Sequence, residues 1–128
     1  MKSIVLLCIM FLWTGFFGFG CQQKTQAYSS AAIPITTEVG KQFVISLQSN
    51  ATTGYKWQLA KPVDGAIIEF VSSQYVTPKT RLIGAGGEEL WTFKAVGKGK
   101  AEIMLEYIRP WEKDKPPARQ EVFTVLVD

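Results

Sequence analysis

The stretch Ala101-Glu-Ile-Met-Leu-Glu-Tyr-Ile108 decides the architecture. Ala101, Ile103, Leu105 and Tyr107 alternate with Glu102, Met104, Glu106 and Ile108, and a period of two puts the first set on one face of a half-buried β-strand. The pattern recurs on both sides. Phe43, Ile45 and Leu47 alternate with Gln42, Val44, Ser46 and Gln48, and Tyr55, Trp57 and Leu59 alternate with Lys56 and Gln58. Ile33 to Val39 reads as a short strand, and Ala66-Ile-Ile-Glu-Phe-Val71 continues toward Tyr75. Leu90 to Val96 puts Trp91, Phe93 and Ala95 on one face, and Val122 to Val127 closes the chain. Turn residues such as Gly97-Lys-Gly99 punctuate these runs. About seven short strands without a convincing helix predict an all-β fold, an immunoglobulin-like antiparallel β-sandwich over residues 33–128. Phe43, Trp57, Phe70, Trp91, Phe93, Tyr107 and Phe123 are its aromatic core candidates, each able to bury about 150–250 Å².

Composition removes much chemistry. The 128 residues include 14 Lys plus Arg, 11 Asp plus Glu, two Cys and no His. Without histidine there is no Ser-His or Cys-His nucleophile pair and no zinc site of the usual His-containing kinds. Both cysteines, Cys8 and Cys21, lie in or at the end of an apolar leader, which excludes disulfides, thiolate metal sites and iron–sulfur clusters within the fold. No cofactor or metal is expected. The remaining enzymatic option is a carboxylate pair, for which Glu88, Glu89, Glu112 and Asp114 are the loop candidates. Their neighbouring lysines favour solvated surface charge instead, so the chain is read as no enzyme.

Residues 1–20 carry Lys2 and then an uncharged apolar run from Ile4 to Gly20, the layout of an export signal. Gly18-Phe-Gly-Cys21 resembles the lipobox of bacterial lipoproteins, with Gly18 and Phe19 departing from the usual Leu and small residue. The resemblance implies lipidation at Cys21. Residues 21–32 are polar and small, a flexible tether. The expected location is therefore extracytoplasmic, lipid-anchored on a bacterial outer membrane or cell surface, or secreted if Cys21 is not used. Loss of Lys2 with the leader leaves the charge near balance, which argues against nucleic acid as a partner. A monomer is expected.

Three connections carry more than a tight turn requires. Asn50-Ala-Thr-Thr-Gly54 can form a compact loop, with Gly54 free to adopt a positive φ. Thr77 to Glu88 contains Arg81-Leu-Ile-Gly-Ala-Gly-Gly87, whose glycines allow close backbone approach to another surface. It lacks the Lys-Ser/Thr and following helix of a phosphate-binding loop. Arg109-Pro-Trp111 precedes Glu112-Lys-Asp-Lys-Pro-Pro117 and places a tryptophan and an arginine, frequent interface anchors, outside any strand. The first and third connections fall at one end of a sandwich, and the second is long enough to fold back toward them.

Asn50-Ala-Thr-Thr-Gly-Tyr55, Gly84-Ala-Gly-Gly87 ahead of Trp91-Thr-Phe-Lys-Ala95, and Tyr107-Ile-Arg-Pro-Trp111 together resemble the signature motifs of the chagasin family. That family consists of protein inhibitors of papain-like cysteine proteases, and the resemblance spans nearly all of 33–128. It implies reversible competitive inhibition by three loops (50–55, 82–88 and 109–112) laid across the protease cleft. Asn50, Thr52, Thr53 and Gly54 would sit at the catalytic centre, with Thr52 foremost, and Tyr55 would join the protease-binding surface. Ile83, Gly84, Ala85, Gly86 and Gly87 would cross the non-primed side, and Arg109, Pro110 and Trp111 the primed side. Ala51 stands where the family usually has proline, at a cost of roughly 0.4–1 kcal/mol of loop preorganisation. The competing reading is a surface adhesion or carbohydrate-binding sandwich.

Overall fold

A computed structural model describes residues 25–79 and 86–128. Eight strands occur among them: β1 (Gln26–Tyr28), β2 (Ile35–Thr37), β3 (Gln42–Ser49), β4 (Lys56–Leu59), β5 (Ile68–Val76), β6 (Gly87–Ala95), β7 (Gly99–Ile108) and β8 (Arg119–Val127). They form two four-stranded sheets, ordered β1-β3-β6-β5 and β2-β8-β7-β4, an immunoglobulin-like sandwich. The longer pairs are antiparallel, whereas the short β1 and β2 run parallel to β3 and β8. β1 lies within the stretch read as a tether. Its Tyr28 is half-buried and meets Phe43 edge-on, with ring centroids 6.5 Å apart.

The alternation holds where each sheet faces its partner. Phe43, Ile45 and Leu47 of β3 join Trp91, Phe93 and Ala95 of β6, Ile103 and Leu105 of β7, and Phe123 and Val125 of β8 in one buried cluster. Phe43 and Phe93, directly paired across β3 and β6, stack with centroids 5.8 Å apart. Two core assignments need correction. Phe70 is 41% exposed because β5 is an edge strand with no neighbour beyond it; the ring leans on Trp91 and Phe93 from one side only. Tyr107 is only partly buried, since its hydroxyl is drawn into the loop edge described below.

Strand register divides the molecule into two poles. At one, Ser49 faces Gly87, Val76 faces Glu88, and Tyr107 faces Arg119, so the connections 50–55, 77–86 and 109–118 leave from the same end. At the other, the Val39 amide donates to the Asp128 carbonyl and the Gly40 amide to that of Ala95, which gathers the β2–β3 turn, the end of β6 and the last residue.

Candidate functional site

The first loop is a single hydrogen-bonded turn. Asn50 is extended (φ −116°, ψ 100°) and caps a 3-10 turn over Ala51–Thr53; its Oδ1 accepts from the Thr52 amide at 3.1 Å and the Thr52 hydroxyl at 2.6 Å. This is the capping role for which Asn is suited. The Thr53 hydroxyl donates to the Asn50 carbonyl at 2.7 Å, and the Gly54 amide donates to Ala51 at 3.3 Å. Gly54 then takes φ 79°, the left-handed region that costs any residue with a Cβ about 1–2 kcal/mol. Ala51, Thr52 and Thr53 all stay exposed.

The second half of the edge comes from the end of β7, the neighbour of the β4 strand into which the turn leads, and is fastened to this turn. The Asn50 amide donates to the Tyr107 hydroxyl at 2.9 Å. Tyr107 lies between Tyr55 and Trp57, with centroids 5.1 and 5.0 Å away. Arg109 donates through Nε to the Thr53 carbonyl at 3.1 Å, sets its guanidinium 4.3 Å from the Tyr55 ring centroid, and reaches Glu112 at 3.4 Å. A hydrogen bond, a cation–π contact and an ion pair thus restrain one side chain, and its planar fork suits that combination. Trp111 lies with its indole edge against Gly54, close enough that a Cβ there would collide with Cη2; the rest of the ring is open, and the residue is 66% exposed. Pro110 is exposed beside it.

Of the second loop, Ile83, Gly84 and Ala85 lie outside the described residues. Gly86 sits beside the first loop: a Cβ on it would lie 3.6 Å from the Ser49 carbonyl. Gly87 opens β6 and is buried, and a Cβ there would strike the Val76 carbonyl. An open groove of about 410 Å³ runs between Asn50, Gly86, Tyr107 and Arg119.

The structure thus brings Asn50, Thr52, Thr53, Gly54, Tyr55, Gly86, Gly87, Arg109, Pro110 and Trp111 to one pole. It also adds residues that periodicity did not single out for this role. Tyr107 reads as core from its alternation, yet its hydroxyl holds the first loop. Glu89 accepts the Trp57 amide at 3.0 Å, and Trp57 Nε1 donates to the Gln48 carbonyl at 2.9 Å, so both sheets are stitched beneath the edge. Glu88 and Glu89 belong to β6 and not to a loop, a correction; neighbouring strand residues point to opposite faces, so these two carboxylates cannot face a common substrate. Glu112 is occupied by Arg109 and Lys115. Among the described residues no group of three or more His, Cys, Asp or Glu could hold a metal.

A sandwich that gathers the Asn50–Tyr55 turn, Gly86 and the Arg109–Trp111 segment at one pole, the first and last of them braced by hydrogen bonds, has the form of a binding protein of the inhibitor class. Residues 36–127 match chagasin family peptidase inhibitor I42, and the chain belongs to that family; it is an inhibitor and not an enzyme. It is 34% identical to chagasin of Trypanosoma cruzi over 106 residues, covering 80% of this chain and 93% of that protein. Amoebiasin-2 of Entamoeba histolytica is 29% identical over 83 residues, covering 65% and 68%. Among solved structures, the cysteine protease inhibitor EhICP2 from Entamoeba histolytica superposes with a TM-score of 0.66 at 21% identity, covering 81% of this chain and 97% of that one. PbICP-C, solved in complex with falcipain-2, does so with 0.56 at 20%, covering 82% and 100%. At these identities the structural likenesses speak for the fold.

Proposed function

We propose that this chain is a reversible, competitive inhibitor of papain-like cysteine proteases that acts by covering the active-site cleft. One observation carries the reading: the Asn50–Tyr55 turn, which crosses from one sheet to the other, and the Arg109–Trp111 segment are joined into one exposed and internally hydrogen-bonded edge. Thr52 leads that edge into the cleft over the protease's own Cys and His, and Trp111 offers a flat apolar face to one wall. The segment of residues 82–88 covers the other side. Nothing on this chain needs to react.

The turn also resists being a substrate. Its Thr53-to-Asn50 and Gly54-to-Ala51 backbone bonds keep it folded, whereas a scissile peptide must be held in line with the nucleophile. Because the edge is ordered before binding, little is lost in arranging it, and an interface of about 800 Å² per partner is then enough for tight association. One copy of the chain acts alone.

We also propose attachment to a membrane through a lipid on Cys21, on the extracytoplasmic side of a bacterial cell. The leader and the Gly18-Phe-Gly-Cys21 motif support this. Residues 21–128, purified and titrated against papain, should abolish activity near one equivalent and raise KM without lowering kcat. No inhibition of papain or of several related enzymes would defeat the inhibitor reading. Mass spectrometry of the cellular protein should find an acylated Cys21; an unmodified thiol would defeat the anchor.

A further inference from the structure

The chain enters the domain at one pole and binds at the other. Gln26 pairs with Phe43, the second residue of β3, and β1 runs parallel to β3 toward Ser49 and the Asn50 turn. Thr25 lines the same polar hollow as Glu38, Gly40 and Asp128, which places the entry point beside the β2–β3 turn and the chain's last residue. From Phe43 to Ser49 are six steps of strand, or about 20 Å at roughly 3.3 Å each. The entry is held there, since Tyr28 packs on the core against Phe43.

We infer that the domain is displayed with its binding edge directed away from the membrane, so that its partner is a soluble protease arriving from the aqueous side. This rests on the reading that lipid on Cys21 anchors the chain. Only residues 22–25 separate that cysteine from β1, and the five steps from Cys21 to Gln26 span at most roughly 17 Å. A partner domain of about 200 residues has a radius of gyration near 16 Å and is about 40 Å across. Such a body would not fit between the bilayer and an edge placed on the membrane side. With the edge on the far pole, the same short tether leaves the approach clear, and the anchor fixes which side of the molecule faces outward.

The test compares two attachment points. Residues 21–128 contain the single thiol of Cys21, which can be coupled to a maleimide lipid in phosphatidylcholine vesicles. The second protein carries Cys21→Ser with Asp114→Cys, and is coupled through position 114 at the loop pole. Soluble papain should be inhibited by the Cys21-linked protein within about threefold of the free protein, and by the 114-linked protein at least about thirtyfold more weakly than by its uncoupled form. Equal inhibition from both attachments, or loss of inhibition on Cys21 coupling that release from the vesicle restores, would overturn the polarity.

Inhibition by the free proteins reports separately on the inhibitor reading. Should that fail, acetylation footprinting of the Cys21-coupled protein still measures orientation. Anchoring should lower the labelling of Lys41 and Lys98 relative to Lys113 and Lys115, and the reverse or an equal pattern would overturn the inference.

Discussion

Gly54→Ala separates the backbone requirement of the first loop from its contact with the third. The substitution costs about 1–2 kcal/mol for placing a Cβ at φ 79°, and that Cβ also meets the Trp111 ring, which must swing away. Gly40→Ala supplies the control: its φ is 91°, a Cβ there has nothing within 4 Å, and it lies at the opposite pole. Both variants should lower Tm, by about 4–8 °C per kcal/mol for a domain near 100 residues. Only Gly54→Ala should lose affinity. Displacing the indole and loosening the turn together should raise Ki by a factor of ten or more, since tenfold corresponds to about 1.4 kcal/mol. In a Trp111→Ala background, where the ring is already gone, the Gly54→Ala effect on Ki should shrink to its backbone part. Inhibition kinetics against papain, with thermal unfolding of the same preparations, read the Ki and Tm changes. Wild-type inhibition by Gly54→Ala, or an equal loss from Gly40→Ala, would refute the idea that Gly54 and Trp111 form one contact surface.

Arg109→Lys keeps the charge but removes the Nε bond to Thr53 and the planar contact with Tyr55. It should weaken inhibition about tenfold with little change in Tm, and the expected route is a faster dissociation rate measured by surface plasmon resonance. Ala51→Pro should improve inhibition about two- to fivefold, the equivalent of 0.4–1 kcal/mol, because position 51 opens a turn and Asn50 already has the extended backbone that proline demands of its predecessor; Ki values decide it. Phe93→Ala deletes a fully buried ring that stacks on Phe43 and should cost about 3–5 kcal/mol in urea unfolding, while any protein that remains folded keeps its Ki.

The sandwich was legible because its buried strands alternate cleanly: Ala101 to Tyr107 and Phe43 to Leu47 show the same faces in sequence and in space. Where periodicity misled, a neighbour was missing or a polar atom mattered. Phe70 has the spacing of a core residue, but period two does not say that β5 lies at an edge. β1 lacks an apolar pattern altogether; its pairing with β3 is a matter of backbone hydrogen bonds and of one tyrosine ring finding Phe43.

The candidate edge shows the same division at finer scale. Asn50, Thr52, Gly54 and Trp111 stand out because loops expose unusual residue types, whereas what orders them was hidden in residues with plain explanations. Tyr107 alternates with Glu106 and Ile108 as any strand residue would, and only the register with β4 puts its ring between Tyr55 and Trp57 and its hydroxyl under the Asn50 amide. Arg109 reads as an exposed anchor from its place beside proline and tryptophan. In the fold it is spent inward, on Thr53, Tyr55 and Glu112, and Trp111 carries the outward surface. Residues of the third loop therefore divide between holding and touching. An occluding inhibitor gains from this division: each contact that fixes the two loops to each other before encounter removes an ordering cost that would otherwise be subtracted from binding.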